Sequence, residues 1–525
     1  MNRQYPKKVL WLILISALVK LVAASLLELG NDEVYYWTYA LQPDWNHFDH
    51  PPMVGWLIRI TTFNLHWVNE VSLRIGSILC ASLSTWFIFK TGKLLANEKA
   101  GWYSALIYNC SVYTGFIAGM FILPDSPQMP LWTGALYIMA HLFIMNDERK
   151  LSTWLVLGLT IGLACLCKVH GLYLWAGFGL FLLITRRSWL LNWRLYAGFV
   201  VTLLCLFPIV YWNLQNNFIT YRFHAERVTH DSLQWDMLGR EIGGEIAYQN
   251  PVIFLLIITA LVALLRRRIR FNRKKASTWL LCMSIPMILL FWGISVRNPT
   301  LPHWSGPGYI PLFLVAGLYL EHRSFRIIPR GVKVAGMLLI IALVAGVALI
   351  RLSPVNFGSH DRQNFGEYCP TLDLSGWRSF SNEFTALVKD DIAHHRMQAY
   401  SPILIDKWFP GGHLEFYTSR ASGLPVLGVG ALEDIHKFAW LNKARKQLYI
   451  GEDAYAIVPS NVPDNVQQAY GRYFSSIEAP VIIEQKRGGE TVRYFYVFRL
   501  KNCKLVPRAE LLDYIALNPE GASQD

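Results

Sequence analysis

Four short stretches of this 525-residue chain group side chains able to work on an ester. Asn31-Asp32-Glu33 precedes the apolar Val34-Tyr35-Tyr36-Trp37, and Asp49-His50-Pro51-Pro52 precedes Met53 to Phe63. Leu123-Pro124-Asp125-Ser126-Pro127 is a second acidic turn, and Lys168-Val169-His170-Gly171 joins a cation to an imidazole between apolar neighbours. A carboxylate partly removed from water becomes a stronger base toward a hydroxyl proton. A lysine serves a phosphate as a point charge. Arg222, His224, Arg227, Arg297 and His303 add further cationic side chains. Together they suit transfer from a phosphate ester, with a carboxylate activating the attacking hydroxyl and cations stabilising the departing phosphate. The chain contains no Walker A motif, no dinucleotide glycine fingerprint and no HExxH.

Each stretch also has a purely structural reading. Asn31, Asp32 and Asp49 are good helix N-caps, proline just inside a helix start is favoured, and Asp125 could cap as well. Lys168 could snorkel toward water along its apolar stem.

The elements that must position these residues are membrane spans. The composition is 53% hydrophobic, 16% charged and 14% aromatic, with 20 tryptophans. A soluble domain carries about a quarter charged residues, so bilayer is part of this chain's solvent. Eleven apolar stretches are long enough to be read as spans: 9–27, 72–95, 102–121, 126–145, 151–167, 172–185, 195–212, 251–265, 277–295, 309–320 and 334–350. Alternate connections are rich in basic residues, such as Lys7 and Lys8, Lys90 with Lys93 and Lys99, and Arg266 to Lys275. The positive-inside rule therefore places the amino terminus in the cytoplasm and everything after the eleventh stretch outside. Lys7, Lys8 and Ala23-Ala24-Ser25 also fit a cleavable signal peptide; an uncleaved anchor is the preferred reading, since it holds the acidic loop at the membrane. On this topology all four stretches face the outside, and the loop 28–71 reads as two surface helices separated by a turn.

Residues 1–351 thus read as a transmembrane domain and 352–525 as a soluble extracytoplasmic α/β domain, with short β-rich runs at 403–405 and 491–500. Cys369 and Cys503 lie in that domain, where an oxidising compartment would allow them to pair. The formal charge of +13 lies in short runs between apolar segments, which argues against nucleic acid as a partner. A multi-span transporter or lipid flippase is the rival of another class. Acidic motifs in loops rather than at mid-span weigh against it, and a membrane assembly factor would leave the carboxylates unexplained.

Asp32-Glu33-Val34-Tyr35-Tyr36-Trp37, Trp45, Asp49-His50-Pro51-Pro52, Pro124-Asp125-Ser126-Pro127, Lys168 and Tyr211-Trp212-Asn213 occur in an order that resembles the family 39 and 83 glycosyltransferases. That superfamily includes the protein O-mannosyltransferases and the lipid A aminoarabinose transferase. The resemblance implies a GT-C fold of about eleven spans with juxtamembrane helices in the first outer loop, and a polyprenyl-phosphate-linked sugar as donor. It also implies a cell-envelope lipid, glycan or protein as acceptor, in a bacterial-type inner membrane. It implies Asp32 as catalytic base, with Glu33 and Asp125 beside it in the catalytic set. Asp49, His50, Lys168, His170, Arg222, Arg227 and His303 are the expected substrate-binding residues. All are expected to converge on one pocket. The aminoarabinose transferases have Glu-Lys before Pro-Pro where this chain has Asp49-His50. Some relatives place a metal near this motif, and Asp49 with a loop histidine could ligate a divalent ion.

Overall fold

The computed structural model describes residues 4–226, 233–268 and 275–507. Its principal helices are α1 (Gln4–Leu26), α2 (Asn31–Leu41), α3 (Met53–Thr61), α4 (Glu70–Leu95), α5 (Glu98–Cys110), α6 (Asp125–Met145), α7 (Leu151–Cys167), α8 (Tyr173–Thr185), α9 (Trp193–Gln215), α10 (Ile219–Glu226), α11 (Trp235–Tyr248), α12 (Pro251–Leu265), α13 (Ala276–Cys282), α14 (Ile285–Ser295), α15 (Gly306–Arg323), α16 (Arg330–Leu352) and α17 (Trp377–Ala393). The chain forms two compact units, one of residues 1–24 and 50–343, the other of residues 25–49 and 344–525.

The first unit is a helical bundle, and every apolar stretch expected as a span falls on helix. Helices 4–26, 70–95, 193–215, 276–295 and 330–352 are long and apolar enough to cross a bilayer, and the pair α11 and α12, bent by 101°, raises the number from five to six. The other expected spans are helices of 13 to 21 residues. Eleven full-length apolar helices are therefore not what forms. An interior helix meets side chains rather than lipid, which relaxes the demand for uniform hydropathy; α15 is buried along nearly its whole length. At the lipid-facing extreme, only 6% of the most apolar window of α16 is buried. The stretch expected at 102–121 is broken, with α5 ending at Cys110 and a π-helical turn following at Tyr113–Ile117.

Small residues set the closest helix contact in the bundle. A Cβ on Gly158 of α7 would lie 1.9 Å from the carbonyl oxygen of Gly198 on α9, so only glycine allows this approach. Thr202 then donates to the Gly158 carbonyl at 2.7 Å.

The second unit is an α/β domain with strands β1 (Ile403–Ile405), β2 (Val426–Gly428), β3 (Ala454–Pro459), β4 (Phe474–Ile477), β5 (Val481–Arg487) and β6 (Glu490–Cys503). The sheet order is β2-β1-β3-β6-β4, with β5 also paired to β6. Strands β2, β1 and β3 run parallel, whereas β6 is antiparallel to β3, β4 and β5. Helix α17 lays Trp377, Phe380, Phe384 and Val388, spaced three or four apart, into the core. The Phe380 ring stacks on Phe495 of β6 at 4.0 Å between centroids.

Residues 25–49 belong to this unit although the sequence places them far from it. Helix α2 is buried from Glu33 to Ala40. Leu29 donates its N–H to the Tyr417 hydroxyl at 2.8 Å, Asn31 donates to Asp373 at 3.0 Å, and Glu28 accepts the Trp377 N–H at 2.8 Å. The pairing of Cys369 with Cys503 that an oxidising compartment would allow is not made. Both are free thiols, Cys369 packed with Leu372 and Val492, and Cys503 in the separate cluster around β6.

Candidate functional site

In the first unit the sequence builds a buried charge pair at the junction of α6 and α7. Pro124 precedes α6 as its N-cap and offers no side-chain acceptor, so Asp125 sits inside the first turn with its carboxylate turned into the protein. Asp125 Oδ1 accepts from the Tyr113 hydroxyl at 2.8 Å, and Lys168 Nζ lies 3.2 Å from Oδ2. Both residues are buried, Asp125 to 3% exposure and Lys168 to 7%. Ser126 ties the preceding turn to the helix: its hydroxyl accepts from Leu123 N–H at 3.3 Å and donates to the Phe121 carbonyl at 2.7 Å.

Lys168 owes its position to the end of α7. Its backbone is extended at the C-cap, and the chain turns at once into the 3-10 turn Val169–Leu172. Gln128 stands three residues after Asp125 and so shares its face of α6. Its amide donates to the carbonyl oxygens of Lys168 at 2.9 Å and Ala164 at 3.2 Å. Lys168 is thus held by side chain and backbone alike, which is not the behaviour of a snorkelling lysine.

Three expected histidines surround this pair. His170 and His303 each feel the charges of Lys168 and Asp125 and the imidazole of His50. Burial, reinforced by Lys168, holds His170 down to about 3 and His303 down to about 4. Both are neutral at pH 7, which corrects the expectation that His303 adds a cation. As neutral imidazoles they offer one donor and one acceptor each. Among the described residues His170 Nδ1 is buried without a hydrogen-bond partner, and its ring meets Phe291 edge-on at 5.2 Å. The His50 ring stands 6.5 Å from that of His224 on α10. Arg222, on the same short helix, and Arg297 are exposed, and Arg227 lies outside the described residues.

The second unit holds the other expected residues. The N-cap of α2 is Gly30, so the capping expected of Asn31 or Asp32 does not occur. Glu33 supplies the N3 half of a capping box by accepting the Gly30 N–H at 2.9 Å, and it is 2% exposed. Asn31 is engaged by Asp373 and by His413, whose Nε2 is 2.9 Å from Asn31 Oδ1. Between these two fixed neighbours, Asp32 is exposed. Asp49 does not cap α3, whose N-cap is Pro52. Its Oδ1 accepts from the hydroxyls of Tyr35, at 2.6 Å, and Tyr39, one helical turn apart on α2. Both phenols are held well above their usual range by burial and by the Asp49 charge, so they stay neutral donors.

Among the described residues no group of three or more His, Cys, Asp and Glu side chains is arranged to hold a metal ion. The donor set that the motif resemblance suggested around Asp49 is committed to tyrosines, and no step is assigned to a metal. Tyr113, Gln128 and the two tyrosines of α2 are the site-building residues that the sequence did not single out. The i, i+4 tyrosines beside an acidic motif were the one available signal.

Residues 49–212 match the family described as dolichyl-phosphate-mannose-protein mannosyltransferase. A lipid A galacturonosyltransferase, RgtD, of Rhizobium johnstonii is 25% identical over 315 residues, which is 58% of this chain. The match spans 62% of the length of that relative. Among solved structures, ArnT from Cupriavidus metallidurans bound to undecaprenyl phosphate superposes with a TM-score of 0.58 at 16% identity, over 93% of this chain and 97% of ArnT. Its apo state matches with a TM-score of 0.58 at 15% identity, over 94% and 98%. The fold is shared along nearly the whole chain.

Proposed function

We infer that this chain, a membrane protein of the GT-C glycosyltransferase fold, transfers a sugar from a polyprenyl-phosphate donor to a cell-envelope acceptor on the extracytoplasmic face. The observation that carries the reading is the buried Asp125–Lys168 pair, braced by Tyr113 and Gln128 and flanked by His50, His170 and His303. A buried lysine with neutral imidazoles near it is a fitting receptor for a phosphate ester, because the group offers charge and directional hydrogen bonds together. The matched family is named for a dolichyl-phosphate sugar, and ArnT was solved with undecaprenyl phosphate bound. Both point to an isoprenoid phosphate as leaving group. RgtD is named for lipid A, which makes a lipid A-type glycolipid the first acceptor to try among envelope lipids, glycans and proteins.

In the proposed step an acceptor hydroxyl oxygen bonds to the anomeric carbon as the bond from that carbon to the phosphate oxygen breaks. The configuration inverts. Asp32 is the candidate acceptor of the hydroxyl proton, and Lys168 is the candidate counter-charge for the departing polyprenyl phosphate. Asp32 suits the base because it is an exposed carboxylate at the start of α2, where an acceptor can reach it. Asp49 fixes α2 through its tyrosines. Basic connections such as Arg266 to Lys275 support a cytoplasmic amino terminus and a periplasmic 352–525 domain.

The test is sugar transfer by purified full-length protein from a polyprenyl-phosphate sugar, with Asp32→Asn and Lys168→Met beside the wild type. Both variants are expected to lose at least 100-fold in turnover while keeping the wild-type elution profile. Wild-type turnover by Asp32→Asn would remove the base assignment. The same result for Lys168→Met would remove the phosphate receptor.

A further inference from the structure

Helix α11 carries two buried carboxylates that the proposed transfer does not use. Glu241 and Glu245 are one turn apart, 2% and 0% exposed. Glu245 accepts from Trp292 Nε1 at 2.8 Å, from the Tyr309 hydroxyl at 2.8 Å and from the Ser305 hydroxyl. Glu241 accepts from the Thr300 hydroxyl at 2.9 Å. Between them Gly244 lies so close to Pro302 that a Cβ would stand 2.2 Å from the proline ring. One face of α11 therefore grips Thr300, Pro302 and Ser305, the segment that contains His303.

The grip continues inward. Gly306 follows Ser305 and packs flat on Tyr113, where a Cβ would come within 2.5 Å of the phenol ring. Tyr113 in turn donates to Asp125, which pairs with Lys168. We propose that Glu245 is a positioning residue for the phosphate receptor, acting through Ser305, Gly306 and the Tyr113 hydroxyl on the Asp125–Lys168 pair. This rests on the reading that Lys168 receives the phosphate. A carboxylate whose three donors, Trp292, Ser305 and Tyr309, are all neutral is an expensive way to join helices, since apolar groups of the same volume serve stability equally well or better. What a carboxylate adds is directional: it accepts from three donors at once and fixes where the 302–306 segment lies. Without it that segment can withdraw from Tyr113. The phenol then leaves Asp125, and Lys168 is drawn further into its carboxylate and away from a ligand.

The experiment measures binding of undecaprenyl phosphate to purified full-length protein in detergent micelles, for wild type, Lys168→Met, Tyr113→Phe, Glu245→Met, Glu245→Gln, Gly306→Ala and the double variant Tyr113→Phe/Glu245→Met. Glu245→Met is expected to weaken binding about 10-fold in the wild-type background and less than 2-fold in the Tyr113→Phe background, because both act along one path. Glu245→Gln keeps the shape and two of the acceptor bonds and is expected to stay within 3-fold of wild type. Gly306→Ala, which leaves Glu245 intact and pushes on Tyr113, is expected to reproduce the loss and covers the case in which Glu245→Met does not fold. Independent, multiplying effects of Glu245→Met and Tyr113→Phe, or wild-type binding by both Glu245→Met and Gly306→Ala, would overturn the positioning role. Wild-type binding by Lys168→Met would overturn the phosphate receptor itself, whatever Glu245 does.

Discussion

Removing one member of the Asp125–Lys168 pair and then both separates what the pair does for the fold from what Lys168 does for the donor. The two groups are 3.2 Å apart and nearly excluded from water. At an effective dielectric of about 20 the attraction at this distance is about 5 kcal/mol. Lys168→Met leaves Asp125 buried with Tyr113 as its remaining donor, and Asp125→Asn leaves Lys168 buried without its counter-charge. Breaking a buried pair from one side costs about 3 to 5 kcal/mol, whereas removing both charges is close to neutral. Each single variant is therefore expected to lower the thermal midpoint of the purified protein markedly, and Asp125→Asn/Lys168→Met to recover most of the loss. Sugar transfer should behave oppositely: it should stay at least 100-fold down in the double variant, since the group facing the phosphate is absent. Thermal unfolding in detergent and the transfer assay, run on the same four proteins, decide the matter. If the double variant regains transfer together with stability, the pair is structural only. If the single variants are as stable as wild type, the pair is not buried.

Glu33→Ala should lower stability by about 1 kcal/mol through loss of the hydrogen bond to Gly30 N–H, while Glu33→Gln, which can still accept from Gly30, should transfer sugar normally; loss of transfer in a folded Glu33→Gln would give Glu33 a chemical role. His170 and His303 have folded pKa values near 3 and 4, below the usual 6.5 of an unfolded histidine. The unfolded chain thus binds protons that the folded one refuses, so their contribution is intact above pH 6.5 and is lost as pH falls toward 4. The thermal midpoint should fall over that window, less steeply in His303→Gln, and an unchanged slope would count against a buried neutral His303. Truncation after Arg351 should expose the apolar face of α2, so limited proteolysis should cut between residues 28 and 49 in the truncated protein and spare them in the full chain; equal protection in both would mean that α2 does not depend on the second unit.

The sequence showed the parts of the site that are polar against an apolar background. Asp125 and Lys168 were legible because a charge beside a span is costly and therefore conspicuous. Tyr113 and Gln128 were not, because an aromatic or an amide inside an apolar run looks like interface or packing. A π-helical turn, invisible to a 3.6-residue periodicity, is what accompanies Tyr113. The capping expectations failed by a single position at α2, where Gly30 rather than Asn31 takes the N-cap, and failed outright at Asp49 and Asp125, whose oxygens go to tyrosines and lysine. Spacing cannot distinguish an oxygen that bonds its own helix from one that bonds another. Glu241 and Glu245 stand between the apolar stretches 195–212 and 251–265 and drew no reading, since pairwise burial against Thr300 and Ser305 depends on tertiary contacts. The assignment of 25–49 to the second unit was equally hidden, because hydropathy orders segments along the chain and carries no record of distant partners.

That assignment has a consequence for biogenesis. The strip 25–49 emerges from the ribosome before its partners: Leu29, Val34 and Trp37 meet Tyr417, Gly412 and Phe416. At ordinary elongation rates of 5–20 residues per second, the roughly 360 intervening residues take about 20 to 70 s to synthesise. Throughout that interval an aromatic ribbon waits for the segment it docks on. A holdase that shields nascent segments should therefore crosslink to this ribbon in ribosome-arrested chains shorter than about 400 residues and release it once the sheet, which ends at Cys503, is complete in the full chain.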